Sequence, residues 1–99
     1  MNSPYASGNW LVKSGREKEF VQRWIEFLEW TRSSFKELQS AQLILDSTDS
    51  RRFVSFSGWN SAEAVQQWRS RPEFADKFGA CRELCDDFQG FDYTLAAKV

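Results

Sequence analysis

Arg52-Phe53-Val54-Ser55-Phe56-Ser57-Gly58, followed by Asn60-Ser61-Ala62-Glu63 and then by Pro72, is the stretch that decides the architecture. Its Phe and Val side chains suit a half-buried pleated surface and predict a strand over 52–58. Asn60 reads as a helix N-cap, with Glu63 three residues on as its capping-box partner. The short helix that follows carries Ala64, Val65 and Trp68 on one side. Pro72 restarts a helix in its first turn, where the missing N–H costs nothing.

Upstream, Gln39 to Asp46 predicts a strand with Ala41, Leu43 and Leu45 on one side, and Ser47-Thr48-Asp49-Ser50 is the polar turn of a hairpin. Before it, Arg16-Glu17-Lys18-Glu19 opens a long helix whose stripe is Phe20, Trp24, Phe27 and Leu28, widened by Val21 and Ile25 and ending near Arg32-Ser33-Ser34. Pro4 to Ser14 reads as the first strand, with Tyr5, Ser7, Asn9 and Leu11 on one face and Ala6, Gly8, Trp10 and Val12 on the other. Downstream, Phe74, Phe78, Cys81, Cys85 and Phe88 step by helical intervals along one face. Gly90 then stops the helix, and Phe91, Tyr93, Leu95, Ala97 and Val99 alternate as a last strand. Strand, helix, strand, strand, helix pair, strand is the order of an α+β, ferredoxin-like antiparallel sheet with helices on one face, over a single domain spanning 1–99. The other face of such a sheet is bare, and pairing with a second copy would cover it.

Composition narrows the function. Thirteen Lys and Arg face 14 Asp and Glu, for a net charge of -1, so the electrostatic footprint of a nucleic-acid binder is missing. Phe53-Val54-Ser55-Phe56 echoes the end of an RNA-recognition signature, but Asp49, Ser50, Arg51 and Arg52 stand where a basic residue, Gly, an aromatic and Gly or Ala are needed. Nucleic acid is therefore not an expected partner. Nor is a membrane, since no apolar run approaches the ~20 residues of a span. Met1-Asn2-Ser3-Pro4-Tyr5 has neither the cationic nor the apolar part of a secretory signal, and a cytoplasmic location is expected.

Nine Phe, five Trp and two Tyr make 16% of the chain, enough to fill a small core and leave rings over for a pocket or a partner. The sequence has no His, which removes imidazole acid/base chemistry, His-activated nucleophiles and imidazole metal sites. Cys81 and Cys85 then read as small buried hydrophobes, and Asp46, Asp49, Asp86 and Asp87 as solvated turns and helix ends; no metal is expected. Asn9, an amide in a strand beside Trp10, is either an exposed position or a functional group. Trp68 is either the anchor of its short helix or part of a site.

Taken together, Gly8-Asn9-Trp10-Leu11-Val12 leading to Gly15, Phe20 through Trp30, Arg52 through Trp59, and Ala64 through Trp68 to Pro72-Glu73-Phe74 resemble the antibiotic biosynthesis monooxygenase domain. That family comprises small ferredoxin-like proteins forming dimeric α+β barrels. The resemblance implies a homodimer and a cofactor-independent monooxygenase that acts with O2 on a small electron-rich aromatic, phenolic or polyketide-like compound. Asn9 and Trp68 fall on positions the family uses at its pocket, and their amide and indole N–H would be donors to a developing anion. Trp24, Phe74 and Phe78 would line the substrate pocket. A haem-cleaving branch adds a His on the last helix, where this chain has Phe78, so the usual haem ligation is lost. A quinone-forming branch adds an Asn and a Tyr, where this chain has Ala64 and Phe74. Glu63 and Asp87 have no sequence reason to point inward as a general base. The alternative is a non-catalytic dimeric module that binds a small hydrophobic ligand, or a stress-associated barrel whose pocket is filled by its own rings.

Overall fold

A computed structural model describes residues 3–99. In chain order the elements are β1 (Pro4–Val12), α1 (Glu17–Ser34), β2 (Leu38–Leu45), β3 (Arg52–Trp59), α2 (Ala62–Ser70), α3 (Pro72–Arg82) and β4 (Cys85–Thr94). The strands form one sheet in the order β2-β3-β1-β4, with every pair antiparallel. This is the ferredoxin-like α+β arrangement that the element order predicts.

Two-residue alternation in β1 sets the inside and the outside. Ala6, Gly8, Trp10 and Val12 are buried, whereas Tyr5, Ser7, Asn9 and Leu11 are half-buried. The register carries this division across the sheet. Ser55 lies opposite Gly8 and Phe53 opposite Trp10 on β3, while Gly90 and Phe88 take the same places on β4. The inner face meets the α1 stripe, of which Phe20, Trp24, Phe27 and Leu28 are buried, and the α2 face of Ala64, Val65 and Trp68. Phe20 and Trp59 are fully enclosed, and burial of rings of this kind contributes about 1.5–3 kcal/mol each.

Three local expectations give way to the structure. Ser61, not Asn60, caps α2: its hydroxyl accepts from Ala64 N at 3.1 Å. Asn60 is held on the strand side because its backbone N–H donates to Glu37 O, so the helix begins one residue later. The helical face running from Phe74 to Phe88 is also interrupted. Helix α3 ends at Arg82, Leu84 N closes a turn onto Cys81 O, and Cys85 and Phe88 belong to β4, paired with Val12 and Trp10. Pairing along the whole of β1 outweighs continuation of the helix, and a register shift between Leu11 and Val12 lets the helical spacing of Cys85 and Phe88 persist on a strand. Gly90 is consequently mid-strand opposite Gly8 rather than a helix stop, and β4 ends at Thr94, short of Leu95, Ala97 and Val99.

Candidate functional site

A cavity of about 360 Å³ opens between the inner face of the sheet and the three helices. Its floor is made of small residues, Ala6 and Gly8 on β1, Ser55 and Ser57 on β3 and Gly90 on β4. Its walls are rings: Trp24 and Phe27 from α1, Trp68 from α2, Phe74 and Phe78 from α3, with Trp10 and Phe88 closing the sheet side. Trp68 and Phe74 meet edge to face at 4.8 Å between centroids, and Phe74 stacks on Phe78 at 5.4 Å. The space exists because small floor residues face large wall residues. A Cβ on Gly8 would lie 2.8 Å from both Trp10 Nε1 and the Phe88 ring, so no side chain fits there without moving its neighbours.

Three indoles at or beside this cavity are braced by hydroxyl groups. Trp10 Nε1 donates to Ser55 Oγ at 3.0 Å, Trp59 Nε1 to Ser57 Oγ at 2.9 Å and Trp68 Nε1 to Thr31 Oγ1 at 2.9 Å. A hydroxyl has one donor besides its acceptor lone pairs. Ser55 and Ser57, each accepting an indole N–H, therefore retain an O–H to offer a ligand oxygen. The charged side chains among the lining residues are Arg69 on α2 and Asp92 on β4. Their ion pair joins the two elements at 2.5 Å, with the side chains 40% and 68% exposed. The hydrogen bond from Arg69 holds the Asp92 carboxyl below its ordinary range.

Of the residues singled out in the sequence, the fold brings Trp24, Trp68, Phe74 and Phe78 together around this cavity. Asn9 is elsewhere. It lies on the outer face of β1 between Val54 and Gln89, because strand alternation turns it away from Gly8 and Trp10. The indole N–H of Trp68 is likewise directed to Thr31 rather than into the cavity. The two donors expected from the resemblance are therefore not brought together in the site. Ser55, Ser57, Arg69 and Asp92 take the polar positions instead. Glu63 and Asp87 are exposed, the latter on the outer face opposite Leu11.

Among the described residues, no three His, Cys, Asp or Glu side chains gather as metal ligands. Asp46 is occupied by its own turn, accepting from Thr48 N and Oγ1, and Asp86 pairs with Arg51. Cys81 and Cys85 are buried and free, and burial pushes their thiols up to about 12 and about 11. Neither lines the cavity, which offers no imidazole, thiolate or phenolate for axial ligation of haem iron. The residues present do not fit a ligated haem.

A ferredoxin-like sheet roofed by three helices over a ring-lined cavity defines a class of small α+β proteins that enclose an apolar ligand-sized space. The sequence profile described as antibiotic biosynthesis monooxygenase matches residues 6–78, and the chain belongs to that family. Among solved structures, a variant of SnoaB, a cofactor-independent oxygenase from Streptomyces nogalater, superposes with a TM-score of 0.91 at 14% identity, covering 100% of this chain and 98% of that one. A conserved protein from Methanosarcina mazei Go1 gives 0.85 at 15% identity, covering 94% and 92%. A proposed antibiotic biosynthesis monooxygenase from Deinococcus radiodurans gives 0.83 at 13% identity, covering 97% and 95%. No curated protein matches the sequence significantly. At these identities the structural likeness is one of fold.

Proposed function

We propose that this protein is a cofactor-independent monooxygenase whose substrate is a small electron-rich aromatic compound held in the cavity. The observation that carries the reading is the pairing of a ring-lined space of about 360 Å³ with Ser55 and Ser57 hydroxyls on its floor. Ground-state O2 reacts poorly with closed-shell molecules, but an ionised phenol or anthrone can pass it an electron directly. The radical pair then joins through a C–O bond. A methylene between two rings takes up O2, and loss of one water leaves a carbonyl, so both oxygen atoms are accounted for. The chain's part is to exclude water, align the ring and donate hydrogen bonds to the oxyanion. Trp24, Phe74, Phe78 and the ring face of Trp68 supply the apolar enclosure, and the serines supply the donors.

The protein acts in this reading as a homodimer built on the outer face of the sheet, where Ile44, Phe91 and Tyr93 are exposed. Among the described residues, no helix is long and apolar enough to cross a membrane, and the cytoplasm is the proposed location.

The binding-module alternative draws support from two features: the Trp68 N–H is already engaged and Asn9 faces away. An oxygen electrode with a panel of anthrones and dihydroxynaphthalenes separates the two. Oxygen uptake matched by a carbonyl product, and lost in the double variant Ser55→Ala with Ser57→Ala, is expected of the oxygenase. Saturable binding of the panel without oxygen uptake would establish the module and overturn the oxygenase.

A further inference from the structure

We propose that Arg69 is the anion-recognising residue of this cavity, so that the aromatic ligand carries an ionised oxygen substituent, phenolate or carboxylate, which docks at the mouth. The inference rests on the reading of the cavity as an aromatic-ligand site and adds the charge of the ligand to it. Apart from the Arg69–Asp92 pair, serine hydroxyls and backbone, the lining is rings, Leu28 and small residues, a setting in which an unpaired anion is strongly disfavoured. Arg69 is the cation among the lining residues and directly follows Trp68 on α2.

Asp92 shows how the guanidinium is held. It projects from the inner face of β4, two residues beyond Gly90 of the floor, and accepts from Nη1 at 3.3 Å and Nη2 at 2.5 Å. This pairing takes two of the five N–H bonds of the guanidinium. Those remaining include Nε–H, through which an arriving ligand oxyanion can begin to bind. Both side chains are exposed enough that water screens their attraction, and a ligand oxyanion competes with Asp92 for the same guanidinium. Arg69 thus contacts the ligand and selects its ionised form, and Asp92 opposes it by occupying that guanidinium when the cavity is empty.

The test compares 2-naphthoate with its neutral isostere 2-naphthamide, followed by quenching of the tryptophans that surround the cavity, at low ionic strength. Wild-type protein should bind the naphthoate about tenfold more tightly, the difference expected for a charge-assisted over a neutral hydrogen bond. Arg69→Gln should remove that preference chiefly by weakening naphthoate binding, Arg69→Lys should restore part of it, and Asp92→Asn should strengthen naphthoate binding. Equal affinity of the two compounds for wild-type protein, or a preference that survives in Arg69→Gln, overturns the role of Arg69 while leaving the aromatic cavity standing. Failure of both compounds to bind wild-type protein overturns the cavity reading and this inference together. The wild-type comparison needs no variant, so it decides the matter even where Arg69→Gln folds poorly.

Discussion

Trp68 Nε1 donates to Thr31 Oγ1 at 2.9 Å across 37 residues of sequence, and Thr31 Oγ1 donates in turn to Phe27 O at 2.8 Å. This relay ties α2 to the last turns of α1, with Thr31 fully enclosed. It also divides the labour of the indole. The N–H edge is structural, and the ring face walls the cavity.

Thr31→Val keeps the shape of the side chain and leaves the Trp68 N–H buried without a partner. It should destabilise the protein by about 1–3 kcal/mol. Trp68→Ala should cost more, roughly 3–5 kcal/mol, because a core ring is lost as well. Urea titrations give both numbers. A Thr31→Val midpoint equal to wild type would show that the relay contributes nothing to the fold.

Gly8 is where the cavity is most easily closed. A Cβ there would sit 2.8 Å from Trp10 Nε1 and from Phe88, and 3.1 Å from Ser55 Oγ. Gly8→Ala should therefore displace the Trp10–Ser55 hydrogen bond, cost about 1–3 kcal/mol as an overpacked site, and abolish binding of naphthalene-sized ligands. Thermal melting and tryptophan quenching read the two effects separately. Unchanged melting together with unchanged binding would mean that the floor is more pliant than its distances indicate.

Much of this architecture is legible in the sequence, and the misses share a cause. The stripe of Phe20, Trp24, Phe27 and Leu28 and the alternation of β1 report local periodicity, and both survive folding intact. The helical spacing from Cys81 to Phe88 misleads because a strand with a register shift places Cys85 and Phe88 on the inner face just as a helix would. Asn9 stands out by residue type, yet one-residue alternation alone puts it on the opposite face from Trp10. The same alternation, applied to Ser55 and Ser57 beside Phe53, marks them as inward-facing hydroxyls on a buried strand. That signal is faint, since serine in a strand is as often an exposed or hydrogen-bonded filler as a functional hydroxyl. Arg69 and Asp92 are 23 residues apart, and only the folding of α2 over the sheet brings them to one opening.

Burial at the α3–β4 junction makes a chemical prediction. The Cys81 thiol is pushed up to about 12 and that of Cys85 to about 11, in both cases chiefly by desolvation. Thiolate is the reactive form, so neither should be alkylated by iodoacetamide in the native protein at pH 8, and both should be in urea. The linkage has a definite sign. An unfolded thiol ionises near ~8.5, so the unfolded chain releases protons first and stability should fall as pH rises from there toward the folded values. Rapid native labelling of either cysteine would show that the junction opens readily.

The outer face of the sheet supplies the last prediction. Ile44 on β2 is 51% exposed and Tyr93 on β4 is 55% exposed, with Phe91 beside Tyr93 at 6.2 Å between ring centroids. Between them run Asn9, Val54 and Gln89, adjacent in register across β3, β1 and β4. A patch of this composition disfavours contact with water, and a stable self-interface needs roughly 1,000 Å² or more in total. Sedimentation at low micromolar concentration should give about twice the 11.6 kDa chain mass. Ile44→Lys with Tyr93→Lys should return the protein to a folded monomer, because two buried unpaired cations per chain are incompatible with face-to-face packing. Asn9→Ala should alter this association before it alters binding in the cavity, since its side chain belongs to the outer face. A wild-type monomer would exclude the dimer, and a loss of naphthamide binding in Asn9→Ala at unchanged association would place the amide back among the residues that serve the cavity.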